Sequence, residues 1–170
     1  DADRIAREMT EKGNPVLREL AAVFGENIIR DDGTLDRKHL AAVAFANRER
    51  QQTLNAIMHG RIKEEILARQ QALRETGETL IFLDAPLLIE SGLDEICDSV
   101  WVICASEQVK TERVMRRDCA SAEEVQRRIA LQMTDEERLA SSDRTARIDN
   151  NEDKEGLCRN IDELLYKQKQ

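Results

Sequence analysis

Two short apolar runs restrict the folds open to this chain. Thr79-Leu80-Ile81-Phe82-Leu83 and Ser99-Val100-Trp101-Val102-Ile103-Cys104 are rich in β-branched and aromatic residues, with Gly77 before the first and Pro86 after it. Both are too short for a buried helix and read as parallel strands covered on both faces. A weaker third strand is expected over residues 145–148. The rest is helical in pattern: 3–9, stopped by Gly13-Asn14-Pro15, then 16–24, where Leu17, Leu20, Ala21 and Phe24 share one face. A turn at Asp31-Asp32-Gly33-Thr34 leads to Asp36, which opens a helical stretch reaching Thr76, with breaks expected at Asn47 and Gly60. Further helices are expected over 107–117 and 154–166. Strands alternating with helices imply an α/β fold with a parallel sheet. Three strands make a thin sheet, and Asp1-Ala2-Asp3 reads as the carboxyl end of a strand whose body lies before Asp1. Ligands of open α/β sheets bind at such ends, which would put Asp3 in the cleft.

Composition narrows the function. Of 170 residues, 41% are hydrophobic, enough for a core. The net charge of −8 argues against general nucleic-acid binding, and 3% aromatics leave no platform for stacking bases. The apolar runs fall short of the roughly 18 residues a membrane helix needs, and no signal peptide is visible. Cys97, Cys104, Cys119 and Cys158 have no CxxC spacing, and His39 and His59 stand apart from them. Reduced thiols in a cytoplasmic protein are therefore expected, rather than zinc.

Several short patterns can carry chemistry, each beside a plainer reading. No GxxxxGK[ST] phosphate loop occurs in the 170 residues. Asp84-Ala85-Pro86-Leu87-Leu88-Ile89-Glu90 follows an expected strand, so Glu90 could position a ligand; it could equally cap a proline-directed turn. Arg113 and Arg117 are four apart and project from one helix face, suited to phosphate or simply paired with Glu112 and Asp118. The polar stretch from Glu123 to Leu139, with Arg127, Arg128 and Arg138, fits a mobile lid or a surface hairpin. His59 follows an apolar helical face and could be structural, and Asp3 could be a helix cap.

Taken in order, these segments resemble the dephospho-CoA kinase family over nearly the whole chain. The resemblance rests on Asp1-Ala2-Asp3, on Phe24-Gly25 with Asp32-Gly33-Thr34-Leu35-Asp36-Arg37, and on His59. It continues through Pro86-Leu87-Leu88-Ile89-Glu90, Arg113 with Arg117, and Asp149-Asn150. It implies a parallel-sheet P-loop kinase core with an α-helical substrate insert and a helical lid. In that layout the core takes residues 1–6, 77–118 and 140–170, the insert 7–76 and the lid 119–139. It also implies that a first strand, a P-loop of the GGIGSGKS type and its helix precede Asp1, so the sequence is expected to be a piece of a longer chain.

The implied activity is ATP-dependent phosphorylation of the ribose 3′-hydroxyl of dephospho-CoA, the last step of coenzyme A biosynthesis. Asp3 would be the general base, with a possible water-mediated role at Mg2+. Arg113 and Arg117 would stabilise the transferring phosphoryl group and hold ATP. Arg7 and His59 would contact dephospho-CoA. Pro86, Leu87 and Glu90 would line the wall between the ligands, and Asp149 and Asn150 would flank the adenine. Two other readings stay open: another P-loop nucleoside or nucleotide kinase, and a non-catalytic kinase-like binding module.

Overall fold

The computed structural model describes residues 1–168. It divides into two compact units, Asp1–Ser91 and the residues from Gly92 onward.

The first unit is helical: α1 (Ala2–Met9), α2 (Pro15–Phe24), α3 (Arg37–Ala44) and α4 (Arg48–Glu75). Each start is written in the sequence. Asn14 accepts from the Val16 N–H at 3.0 Å, with Pro15 preset for the first turn; Asp36 accepts from His39 N–H at 2.9 Å and Asn47 from Arg50 N–H at 2.8 Å. The expected face of α2 is the buried one, with Leu17, Leu20, Ala21 and Phe24 joined by Val16. They pack with Ile5, Met9, Ile28, Leu40, Ala44 and Ile66 into one core, where Leu20, Ile28 and Ala44 are 0% exposed.

Three expectations need correction. The break at Gly60 does not occur: α4 runs unbroken through it for 28 residues. One glycine costs a helix about 1 kcal/mol against alanine, too little to end a helix this long. Asp3 does not cap α1; Asp1 does, accepting from Arg4 N–H at 2.9 Å, so Asp3 lies in the first helical turn. Residues 79–83 form no strand, and Leu80 and Phe82 stay 53% and 61% exposed. A strand is defined by its ladder, and the sheet of the described residues does not include this segment.

The second unit carries the sheet. β1 (Val100–Cys104) and β2 (Thr145–Asp149) pair in parallel, Val100 opposite Thr145 and Cys104 opposite Asp149. Between them run α5 (Glu107–Asp118), α6 (Ala122–Ile129) and α7 (Asp135–Leu139), and α8 (Lys154–Gln168) follows β2. Val100, Val102 and Cys104 are buried with Ile148, while Ile103 between them remains 47% exposed. The expectation of burial on both faces therefore holds for one face only. α6 and α7 each open with a full capping box, Ser121 with Glu124 and Thr134 with Glu137.

Candidate active site

In the first unit Asp3 and Arg7 lie on α1. The Ala2 N–H donates to the Asp84 carbonyl at 2.8 Å, tying the start of this helix to the segment that carries Pro86, Leu87 and Glu90. That segment winds into tight turns, Leu88 N–H to Ala85 O at 3.2 Å and Ser91 N–H to Leu87 O at 2.9 Å. Pro86, Leu87 and Glu90 are exposed along it. Asp3 is exposed in the first turn of α1, where a carboxylate suits the positive end of the helix dipole. Arg7 lies one turn further along the same face, and no described residue accepts from its guanidinium. His59 is exposed on α4.

The Asp32-Gly33-Thr34-Leu35-Asp36-Arg37 segment is a scaffold for α1. Asp32 accepts from the Thr34 N–H at 2.9 Å and the Thr34 hydroxyl at 2.6 Å, and both hold its carboxyl below the usual range. Gly33 takes φ +80°, the left-handed turn position where a side chain would be strained. The turn returns the chain to an antiparallel bridge between Ile29 and Leu35. Arg37 then donates to Thr10 Oγ1 at 2.8 Å, at the end of α1. From the other side, Arg69 of α4 donates to Glu8 at 2.6 Å and Glu65 at 2.7 Å. The Arg69 guanidinium holds the Glu8 carboxyl below its ordinary value.

Among the described residues of this unit, two clefts stand out. One, of about 670 Å³, is bordered by these charge pairs and by Arg61 with Glu19 at 2.8 Å and Glu64 at 2.9 Å. Its arginines are already neutralised by carboxylates. The other, of about 270 Å³, is mostly apolar and lined by α1, α3 and α4, with Arg7 and Arg37 among its walls.

In the second unit, the carboxyl ends of β1 and β2 carry the polar loops. The Asn150 N–H donates to the Cys104 carbonyl at 2.7 Å, and Asn151 Oδ1 accepts from Ser106 N–H at 2.7 Å. Arg113 on α5 donates to the Asn150 carbonyl at 2.8 Å and the Glu152 carbonyl at 2.9 Å. It thus closes around the Asp149-Asn150 loop and keeps three of its five N–H donors for another acceptor. Asn160 donates to the Asp149 carbonyl at 2.8 Å, and Arg147 pairs with the Asp149 carboxylate at 2.8 Å. Arg117 forks onto its neighbour Asp118 at 2.7 and 3.1 Å. Asp118 also takes Arg128 of α6 at 3.2 Å, and the Arg117 guanidinium keeps its carboxyl below the usual range.

The structure thus brings Arg113, Asp149 and Asn150 together, and separately places Asp3 and Arg7 on one helix face with the 84–91 segment at its head. Sequence reasoning left several partners unassigned. Asn151 braces the β1–α5 turn, Thr10 receives Arg37, and Lys110 of α5 meets Asp135 of α7 at 2.7 Å. Spacing could not pair Lys110 with Asp135 across 25 residues. The helix-opening pattern Thr134 with Glu137 was a local signal that α7 begins there. Burial pushes the Cys104 thiol up, so it behaves as a small apolar side chain.

Comparison with known proteins gives the family. The family profile described as dephospho-CoA kinase matches residues 1–155. A dephospho-CoA kinase from Shouchella clausii is 36% identical over 167 residues, covering 98% of this chain and 84% of that protein. One from Corynebacterium glutamicum is 40% identical over 165 residues, covering 97% and 82%. Among solved structures, a crystal structure of a Thermus thermophilus protein aligns with a TM-score of 0.76 at 28% identity, over 98% of this chain and 82% of that one. A dephospho-CoA kinase from Campylobacter jejuni aligns at 0.66 and 26% identity, over 97% and 81%. With this match along nearly its whole length, the chain belongs to the dephospho-CoA kinase family.

Proposed function

We propose that this phosphotransferase moves the terminal phosphoryl group of ATP onto the ribose 3′-hydroxyl of dephospho-CoA, with Asp3 as the base. The observation that carries this role is the placement of Asp3: an exposed carboxylate at the head of a helix anchored to the Asp84 carbonyl, one turn from an unpaired arginine. In phosphoryl transfer the protein mainly positions reactants and neutralises charge. Asp3 accepts the hydroxyl proton as the new O–P bond forms and the bond from the γ-phosphorus to the β-phosphate oxygen breaks, leaving ADP. Arg113, whose remaining N–H groups are free to donate, and Arg117 serve the phosphates, and the Asp149-Asn150 loop borders the adenine. Arg7 and His59 hold the acceptor, with Pro86, Leu87 and Glu90 beside it. Closure of residues 119–139 excludes water from the reaction.

Among the described residues no cluster of three acidic, histidine or cysteine ligands could hold a metal by itself. Magnesium keeps several waters and binds through phosphate oxygens with one or two carboxylates. Asp3 is the carboxylate that would reach it, through water, and the ion would supply charge neutralisation at the phosphates. No helix of the described residues is long and apolar enough to cross a membrane, and a cytoplasmic site of action fits the small-molecule substrates.

An acceptor screen with the natural polypeptide that contains this sequence tests the assignment. Phosphate should appear on dephospho-CoA and not on nucleosides or nucleoside monophosphates. Transfer to a nucleotide but not to dephospho-CoA would overturn it in favour of another P-loop kinase. Failure to bind ATP would favour a non-catalytic module.

A further inference from the structure

The segment between α5 and β2 is fastened differently at its two ends. At the first, α6 packs on α5 and buries Val125. Its link across the joint is Arg128 to Asp118 at 3.2 Å, made by a guanidinium 58% exposed, next to Cys119 at φ +53°. An ion pair so open to water holds weakly and is screened by salt. At the second end, α7 packs on both β1 and β2. Its Asp135 carboxylate, 12% exposed, accepts from Lys110 Nζ of α5 at 2.7 Å and faces Arg138 Nη1 at 3.7 Å.

Lys110 and Arg113 are three residues apart on α5 and so lie side by side on that helix. The first holds α7, and the second clamps the carbonyls of Asn150 and Glu152. Burial first, and then the Asp135 charge, push the Cys104 thiol up. Asp135 thus stands by the carboxyl end of β1, the end of an open α/β sheet at which ligands bind. Between α6 and α7 the chain makes tight turns, Leu131 N–H to Arg128 O at 3.3 Å and Gln132 N–H to Ile129 O at 3.0 Å. Short element-terminal stretches of this kind absorb the dihedral change of a hinge.

We propose that Lys110 and Asp135 are positioning residues: their ion pair pins α7 at the ends of β1 and β2, and α6 alone swings about residues 130–134 as the segment closes over bound ATP. This rests on the reading of 119–139 as the closing segment, and it adds which part moves and what holds the rest. A pinned α7 gives α6 one closed position. Without the pin, closure is loose and water reaches the phosphates. The water oxygen then bonds to the γ-phosphorus as the bond to the β-phosphate oxygen breaks, a proton passes to solvent, and ADP and free phosphate result.

The test uses the natural polypeptide that contains this sequence. In wild type, a non-hydrolysable ATP analogue should slow amide exchange over residues 125–132 about tenfold and leave 138–141 unchanged. Lys110→Met and Asp135→Asn should each speed exchange over 138–141 and raise ATP hydrolysis relative to phosphoryl transfer about tenfold, with KM for dephospho-CoA within about twofold. The double variant should match either single one, because the two residues act as a pair. Lys110→Arg keeps a cation in reach of Asp135 and should restore the wild-type ratio. Equal slowing over 125–132 and 138–141 would overturn the pivot and leave closure intact, and no slowing over either would overturn both. Additive effects of the two substitutions, or an unchanged hydrolysis ratio in both, would refute the positioning role. If dephospho-CoA is not the acceptor, the exchange measurement still decides, since it needs only the nucleotide.

Discussion

Arg7 and Arg113 are both proposed to meet anionic ligands, yet their surroundings are opposite. Arg113 is already at work, its guanidinium spanning the carbonyls of Asn150 and Glu152 and fixing the loop after β2. Arg7 projects from α1 with no described acceptor, while the pairs Arg37–Thr10 and Arg69–Glu8 hold its helix from two sides. In the second unit, then, the cation organises the loop; in the first, other residues organise the helix and leave the cation available. An arginine that holds a loop together and one that its helix leaves available should fail differently when removed.

The largest expected effect tests the residue that shares a face with Arg7. Asp3→Asn should lower kcat by about 10²- to 10⁴-fold, the usual contribution of a general base, while ATP affinity survives. Turnover within a few-fold of wild type would reduce Asp3 to a first-turn carboxylate of α1.

Next comes Arg113→Ala, expected to lower kcat by about 10²-fold and to raise KM for ATP. It should also speed amide exchange around Asn150 to Glu152, because two carbonyl ties go with the side chain. Arg113→Lys should recover little, since one ammonium cannot span both carbonyls as a fork does. Arg7→Ala should instead raise KM for dephospho-CoA about tenfold, as for one charge-assisted hydrogen bond, with KM for ATP and amide exchange unchanged. If Arg7→Ala loosened α1 as Arg113→Ala loosens its loop, the contrast would collapse.

The smallest effect concerns the brace itself. The Glu8 carboxyl is held below its ordinary value of 4.5 chiefly by the Arg69 hydrogen bond. A carboxyl depressed in the folded state contributes stability present above its unfolded value and lost as pH falls through its folded one. Thermal stability should therefore drop below about pH 4.5, and Arg69→Gln should flatten that part of the profile. The pair is more than a third exposed, so the change should be modest and shrink further in high salt.

Much of the scaffold could be read locally. The apolar face of α2 and the caps Asn14, Asp36 and Asn47 are set by neighbours within a few residues, and each behaves as its sequence implies. β1 was legible from its strand formers, whereas β2, with only Thr145 and Ile148 of that type, was the weaker expectation that the ladder with β1 completes. Residues 79–83 have the same composition but join no described sheet, and composition cannot supply a ladder. Gly60 misled because a break depends on the helix around it, and Asp3 because two acids two residues apart compete for one cap. At the candidate site, residue types were legible and their engagements were not. The carbonyls that Arg113 holds lie 37 and 39 residues away. The plainer reading of Arg117, a pair with Asp118, is the contact its side chain makes.

The central claim is that the phosphoryl group goes to one hydroxyl, the ribose 3′ position. The most direct test is the position of phosphate in the product formed by the natural polypeptide from ATP and dephospho-CoA, read by phosphorus–proton correlation NMR. The account predicts a single new phosphomonoester coupled to the ribose H3′. Phosphorus coupled to H2′, or ATP consumed only to ADP and free phosphate with the acceptor unchanged, would contradict it.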